Sequence, residues 1–240
     1  QRVVAVATES FRLAANGEAV AAHIAREIGC PIQVLSPGEE VTLAWRAVVN
    51  EFPFLPGVTM VDLSGGSLGL GSGPTGVKNP LQNFSYPLGT SVLAPRALNE
   101  GYLETSTRIR LEHHIAEALK PAINDLETAP RQQVVLTGGM ARAAARLIHT
   151  TRRAEVPDEI HGLHIDCSDL GHLVKTFSEL SLPARLALPG MNQRRSLYLP
   201  LAVMILRQTM RSLEVHEAVV STVGLREGLL DQLMTQQTAA

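Results

Sequence analysis

At two places the sequence runs from an apolar stretch straight into paired glycines. Val58-Thr59-Met60-Val61-Asp62-Leu63 leads into Ser64-Gly65-Gly66-Ser67, and Gln132-Gln133-Val134-Val135-Leu136-Thr137 leads into Gly138-Gly139. A backbone without Cβ can come close to a bulky anion, and successive N–H groups in such a turn form a concave nest for phosphate oxygens. At the second junction a helix pattern starts at once and brings its positive dipole end. A plain tight turn is the other reading of each pair; two in one chain, the first led by an acid, favour phosphate. Asp62 closes its apolar run, where a carboxylate can hold Mg²⁺ beside substrate phosphates or bond the turn backbone two residues on. Glu39 and Glu40 sit in the first turn of a helix opened by Pro37-Gly38, where the dipole favours acids. That accounts for Glu39. Glu40 either does the same or faces a cleft, where its raised pKa would let it activate water.

The elements that must position these groups alternate along the chain. An opening strand over residues 2–7 precedes a helix that Asn16 caps and Gly29 ends. Pro31 to Leu35 reads as a short strand, and the helix from Pro37 runs to Val49. Phe52 to Gly57, rich in proline and aromatics, reads as a linker. The strand ending at Leu63 pairs with a return strand from Leu68 as a hairpin, and Gln82 to Leu88 reads as a further strand. Helices are expected over 91–99 and 105–123, then from Gly138 to His149. Residues 169–186 are helical until Pro183, and residues 192–213 form a long helix interrupted near Pro200. A short strand at Val219-Val220 and a helix over 224–234 close the chain. Strands mixed with helices indicate an α/β architecture of two lobes.

Composition bounds the rest. The chain has 240 residues, 45% apolar and 18% charged, enough to bury a real core. Its 21 basic and 23 acidic side chains give no electrostatic reason to expect nucleic acid or a membrane surface as partner. Aromatics at 4% argue against base-stacking platforms. Cys30 and Cys167 cannot build a disulfide framework, which suits a reducing, cytoplasmic setting. Other motifs fail on context. Gly69-Leu70-Gly71-Ser72-Gly73 follows a hairpin and opens no helix. Residues 71–78 have Val77 at the Walker lysine position. His161, His164 and Cys167 lack a fourth zinc ligand.

The ordered set of segments resembles the exopolyphosphatase / guanosine pentaphosphate phosphatase (Ppx/GppA) family over nearly the whole chain. The matching pieces are Ala5-Val6-Ala7-Thr8 with Arg12 and Asn16, Ile32 to Ser36 with Gly38-Glu39-Glu40, and Asp62 to Ser67. Pro87-Leu88-Gly89, Thr137-Gly138-Gly139 with Ala141-Arg142, Leu188-Pro189-Gly190 with Arg194-Arg195, Leu199-Pro200 and Gly224 to Gly228 follow in order. The resemblance implies an actin-like ATPase / sugar kinase fold, two ribonuclease-H-like lobes around a cleft. It implies hydrolysis of terminal phosphoanhydrides in polyphosphate or pppGpp with Mg²⁺. In that pattern Glu40 matches the general base and Asp62 a metal-site acid. Arg12, Ser64, Gly65, Gly66, Ser67, Gly138 and Gly139 match phosphate contacts.

By the same likeness residues 1–56 are the remainder of an incomplete N-terminal lobe and residues 57–223 the second lobe. A helix over 224–240 is then expected to return to the first. The family's first phosphate loop, of Asp-x-Gly-Ser-Asn type, lies before the point where this chain begins. Leu13, Gly69 and Leu197 stand where the family has acids, and Ser64 replaces the first loop glycine. These replacements motivate an alternative: a catalytically weakened relative that senses a phosphorylated ligand or a protein. The residues leave the oligomeric state open, a homodimer being one option.

Overall fold

The computed structural model describes residues 3–99, 102–126, 133–153, 155–191 and 193–238. Two short apolar runs, β1 (Ala5–Ala7) and β2 (Ile32–Val34), pair in parallel with Val6 opposite Gln33. A parallel pair needs a crossover, which α1 (Glu9–Leu13) and α2 (Gly17–Ile28) make. Gly29 ends α2 in the left-handed region at φ 64°, as expected, whereas Asn16 stands at the N-cap without a side-chain capping bond. In α3 (Pro37–Glu51) a capping box holds the start. Ser36 N–H donates to Glu39 at 2.7 Å and Glu39 N–H to Ser36 Oγ at 3.3 Å.

The chain then makes an antiparallel meander of β3 (Gly57–Leu63), β4 (Leu68–Pro74) and β5 (Gln82–Tyr86). After α4 (Thr90–Ala97), the short β6 (Leu98–Asn99) and β7 (Tyr102–Leu103), and α5 (Thr105–Leu126), β8 (Gln133–Thr137) joins β3 in parallel. There follow α6 (Gly139–Arg153), β9 (His164–Asp166), α7 (Cys167–Glu179), α8 (Leu182–Leu186), α9 (Leu199–Ser212), β10 (Glu217–Val220) and α10 (Leu225–Thr238). β10 lies parallel to β8 and antiparallel to β9, so the sheet order is β5-β4-β3-β8-β10-β9.

Strand alternation sends side chains to two buried faces. Val58, Met60, Val135 and Val219 meet Val41, Ala44, Trp45, Val48 and Phe52 from α3 and its end. On the other face Val61, Leu63, Leu136 and Val220 pack with α5, α6 and α9. α9 is buried from Leu199 to Leu206, the pattern of a central core helix. The helix expected over 192–213 is shorter than its pattern. Pro200 begins α9 rather than interrupting it, because a residue without N–H is at home in a first turn. α10 packs along α3. No helix among the described residues is long and apolar enough to cross a membrane.

Candidate active site

β3, β8 and β10 are parallel neighbours, so their carboxyl ends open on one edge of the sheet, the usual place for ligands in open α/β sheets. Asp62 pairs with Thr137 in the register of β3 and β8. The two strand-to-glycine junctions are therefore adjacent. Gly138 has φ +90°, and a β-carbon on it would lie 2.5 Å from the Leu63 carbonyl oxygen and 2.7 Å from Asp62 Oδ1. Only glycine suits that backbone and that approach. A cavity of about 140 Å³ lies here, lined by Asp62, Thr137, Gly138, Arg142 and residues 223–227.

The third wall, the β10–α10 loop, is one that sequence reasoning missed as part of the site. Ser221 N–H donates to the Leu136 carbonyl at 2.9 Å, continuing the ladder past β10. Arg142 Nη1 donates to the Thr222 carbonyl at 2.6 Å, and Gly224 N–H to Glu227 at 2.8 Å. Arg195 covers Gly139 and donates to its carbonyl. Burial, and then the charge of Arg142, lowers the Arg195 pKa. These two arginines bond to carbonyls, so in those contacts no carboxylate neutralises them. The signal that could have found this wall is a third apolar-to-glycine junction, Val219-Val220 to Gly224.

Glu40 lies one turn into α3 and is buried. Arg12 Nη1 donates to its carboxylate, and Arg12 also reaches Glu9 and the Leu35 carbonyl. Burial raises the Glu40 pKa, with Arg12 opposing. Asp62 is pushed up to about 6 by burial first and by the charge of Glu40 second, with Arg142 acting against them. The charge of Glu40 therefore reaches Asp62. The Ser64–Ser67 loop follows directly, its carbonyls at 64, 65 and 66 accepting from Thr90, Ser91 and Gly89 at the start of α4. Arg12 itself lines a different cavity of about 590 Å³ beside the start of α2.

A metal ion here would have few protein ligands. Among the described residues no group of three His, Cys, Asp or Glu side chains converges on one point. Gly69, opposite Asp62 on β4, faces Val41, and a β-carbon there would lie 2.8 Å from Val41 Cγ2. Asp62 remains, the Glu40 carboxylate being engaged by Arg12. That donor set fits Mg²⁺, which is commonly bound by one or two carboxylates together with substrate phosphates.

Residues 1–237 match the Ppx/GppA phosphatase family. Exopolyphosphatase 1 of Mycobacterium leprae is 26% identical over 230 residues, spanning 95% of this chain and 67% of that protein. The solved Ppx/GppA protein of Aquifex aeolicus superposes with a TM-score of 0.79 at 25% identity, over 96% of this chain and 75% of the other. An exopolyphosphatase from Cytophaga hutchinsonii superposes at 0.86 with 21% identity, covering 98% and 76%. The last of these speaks to the fold alone, and the fold is the actin-like ATPase one. With the match running through every motif that borders the cleft, this chain belongs to the Ppx/GppA phosphatase family.

Proposed function

We propose that the protein hydrolyses the terminal phosphoanhydride bond of inorganic polyphosphate or of pppGpp. The observation that carries this reading is the adjacency of Asp62 and Gly138 at the ends of neighbouring parallel strands, with Glu40 in electrostatic reach. The turn at Gly138-Gly139 and the loop Ser64–Ser67 would border a phosphate chain, with Arg12 and Arg142 supplying positive charge. Glu40, its pKa raised by burial, would be a stronger base toward water than an exposed carboxylate and would orient that water toward phosphorus. Asp62 and the ligand's own oxygens would hold Mg²⁺, whose chemistry is to offset the negative charge of the transferred phosphoryl group. We take α3 as the element shared by the two parts of the chain divided at residues 56 and 57. Its first turn carries Glu40 to Arg12, and its body lies under β3 and β4.

A second reading follows from Gly69, where Val41 fills the space an acid would use. With one carboxylate fewer, the protein would bind phosphorylated ligands without turning them over. Phosphate release from polyphosphate and from pppGpp in Mg²⁺, with calorimetry on the same ligands, separates the two. The enzymatic reading expects turnover that Glu40→Gln lowers by about 10² or more, the usual range for losing a general base. Tight binding without release in the wild type would favour the sensor.

A further inference from the structure

The N-terminal side of the cleft is already filled with acceptors that belong to the chain itself. Glu9, the first residue of α1, lays Cβ and Cγ over Gly66, so closely that a β-carbon on Gly66 would collide with them. Its carboxylate reaches Arg12, and its side chain is 13% exposed. Arg12 is thereby held between two carboxylates, Glu9 and Glu40. In the loop beneath, Ser64 Oγ accepts the N–H of Gly66 at 3.2 Å and of Ser67 at 3.0 Å. The Ser64 hydroxyl in turn donates to the Ser67 carbonyl at 3.1 Å.

We propose that Glu9 and Ser64 are built-in stand-ins for phosphate oxygens, and that a phosphate chain enters this side of the cleft by displacing them. The inference rests on reading the cleft as a phosphate site. The guanidinium of Arg12 and the amides of Gly66 and Ser67 are the donors a phosphoryl oxygen would use, and each is engaged by an oxygen of the chain. A carboxylate on a guanidinium is a charge-assisted contact, and only an acceptor of higher charge replaces it at a gain. A neutral hydroxyl is displaced more easily. The pair therefore screens against single, weakly charged anions and admits linked phosphates, which bring several charged oxygens at once. Glu9 and Ser64 are in this sense specificity-determining residues, not catalytic ones.

Calorimetry with imidodiphosphate in Mg²⁺, and separately with inorganic phosphate, tests this on the wild type, Glu9→Gln and Ser64→Gly. Glu9→Ala serves as a second probe in case the amide still holds Arg12, and thermal melts show that each variant is folded. Glu9→Gln is expected to tighten imidodiphosphate by about tenfold, the worth of a charged hydrogen bond, and Ser64→Gly by about fivefold. Inorganic phosphate should gain most in the Glu9 variants, because the screen is gone. If Glu9 merely fastens α1 to the loop, the variants melt lower and bind no tighter, and the proposal falls. Absence of binding in every variant overturns it equally. Phosphate release by the wild type, measured alongside, reports on the enzymatic reading by itself. Release with unchanged affinities removes only the stand-ins, whereas tighter binding without release removes only the hydrolase.

Discussion

Asp62 is the residue on which charge in the cleft turns. Its pKa in the folded protein, about 6, lies above the ordinary 3.8, so the folded state holds this proton more tightly than the unfolded chain does. Its contribution to stability is therefore present at low pH and is lost as pH rises from about 4 to about 6. Asp62→Asn should then melt above the wild type at pH 7 and lose that advantage near pH 4. Equal melting differences at both pH values would contradict the assignment of burial and Glu40 as causes. The same titration bears on the ligand: Mg²⁺ competes with the proton for the carboxylate, so its affinity should climb through pH 6. Residue types alone marked Asp62 and the glycines. Arg142 and Arg195 appeared only as parts of matching segments without a role, because reach to a carbonyl on another element is set by the fold.

At the scale of elements, α3 and β4 decide what the site contains. Leu68-Gly69-Leu70-Gly71-Ser72-Gly73-Pro74 reads as a strand only at its start, since glycine is depleted in strands. It is in fact a seven-residue strand whose glycines let α3 press Val41 and Trp45 onto it. The return strand itself is legible from Leu68; its length is not, and the same close approach gives the space beside Asp62 at Gly69 to Val41. Gly69→Glu should accordingly destabilise by about 1–3 kcal/mol through overpacking, and Val41→Ala should relieve part of that loss. Chemical denaturation of the single and double variants checks it; a Gly69→Glu protein as stable as the wild type would show that α3 is less closely held. Helix starts and stops were more legible. Gly29 is a local device that its residue type gives away, whereas the Ser36–Glu39 box was passed over because the helix dipole already accounted for Glu39. The short edge strand β9 and the one-turn α1 were not legible, because pairing with β10 and packing on the glycine loop hold them rather than their own periodicity.

At the scale of the molecule, three parallel strand ends, each leading into glycine, converge on one edge of a sheet whose two faces are closed by helices. The junctions after β3 and β8 were read along the chain, and the one after β10 was not. Their convergence depends on β3, β8 and β10 being neighbours, which long-range pairing decides. The most direct measurement is a crystal structure with Mg²⁺ and imidodiphosphate. Phosphorus density is expected beside Asp62 and Gly138, within reach of Arg142 and the Ser64–Ser67 loop, with the cation on Asp62. Density lodged instead in the cavity of about 420 Å³ among Ser36, Arg46, Asn83 and Gln232, with the strand ends unoccupied, would contradict that placement.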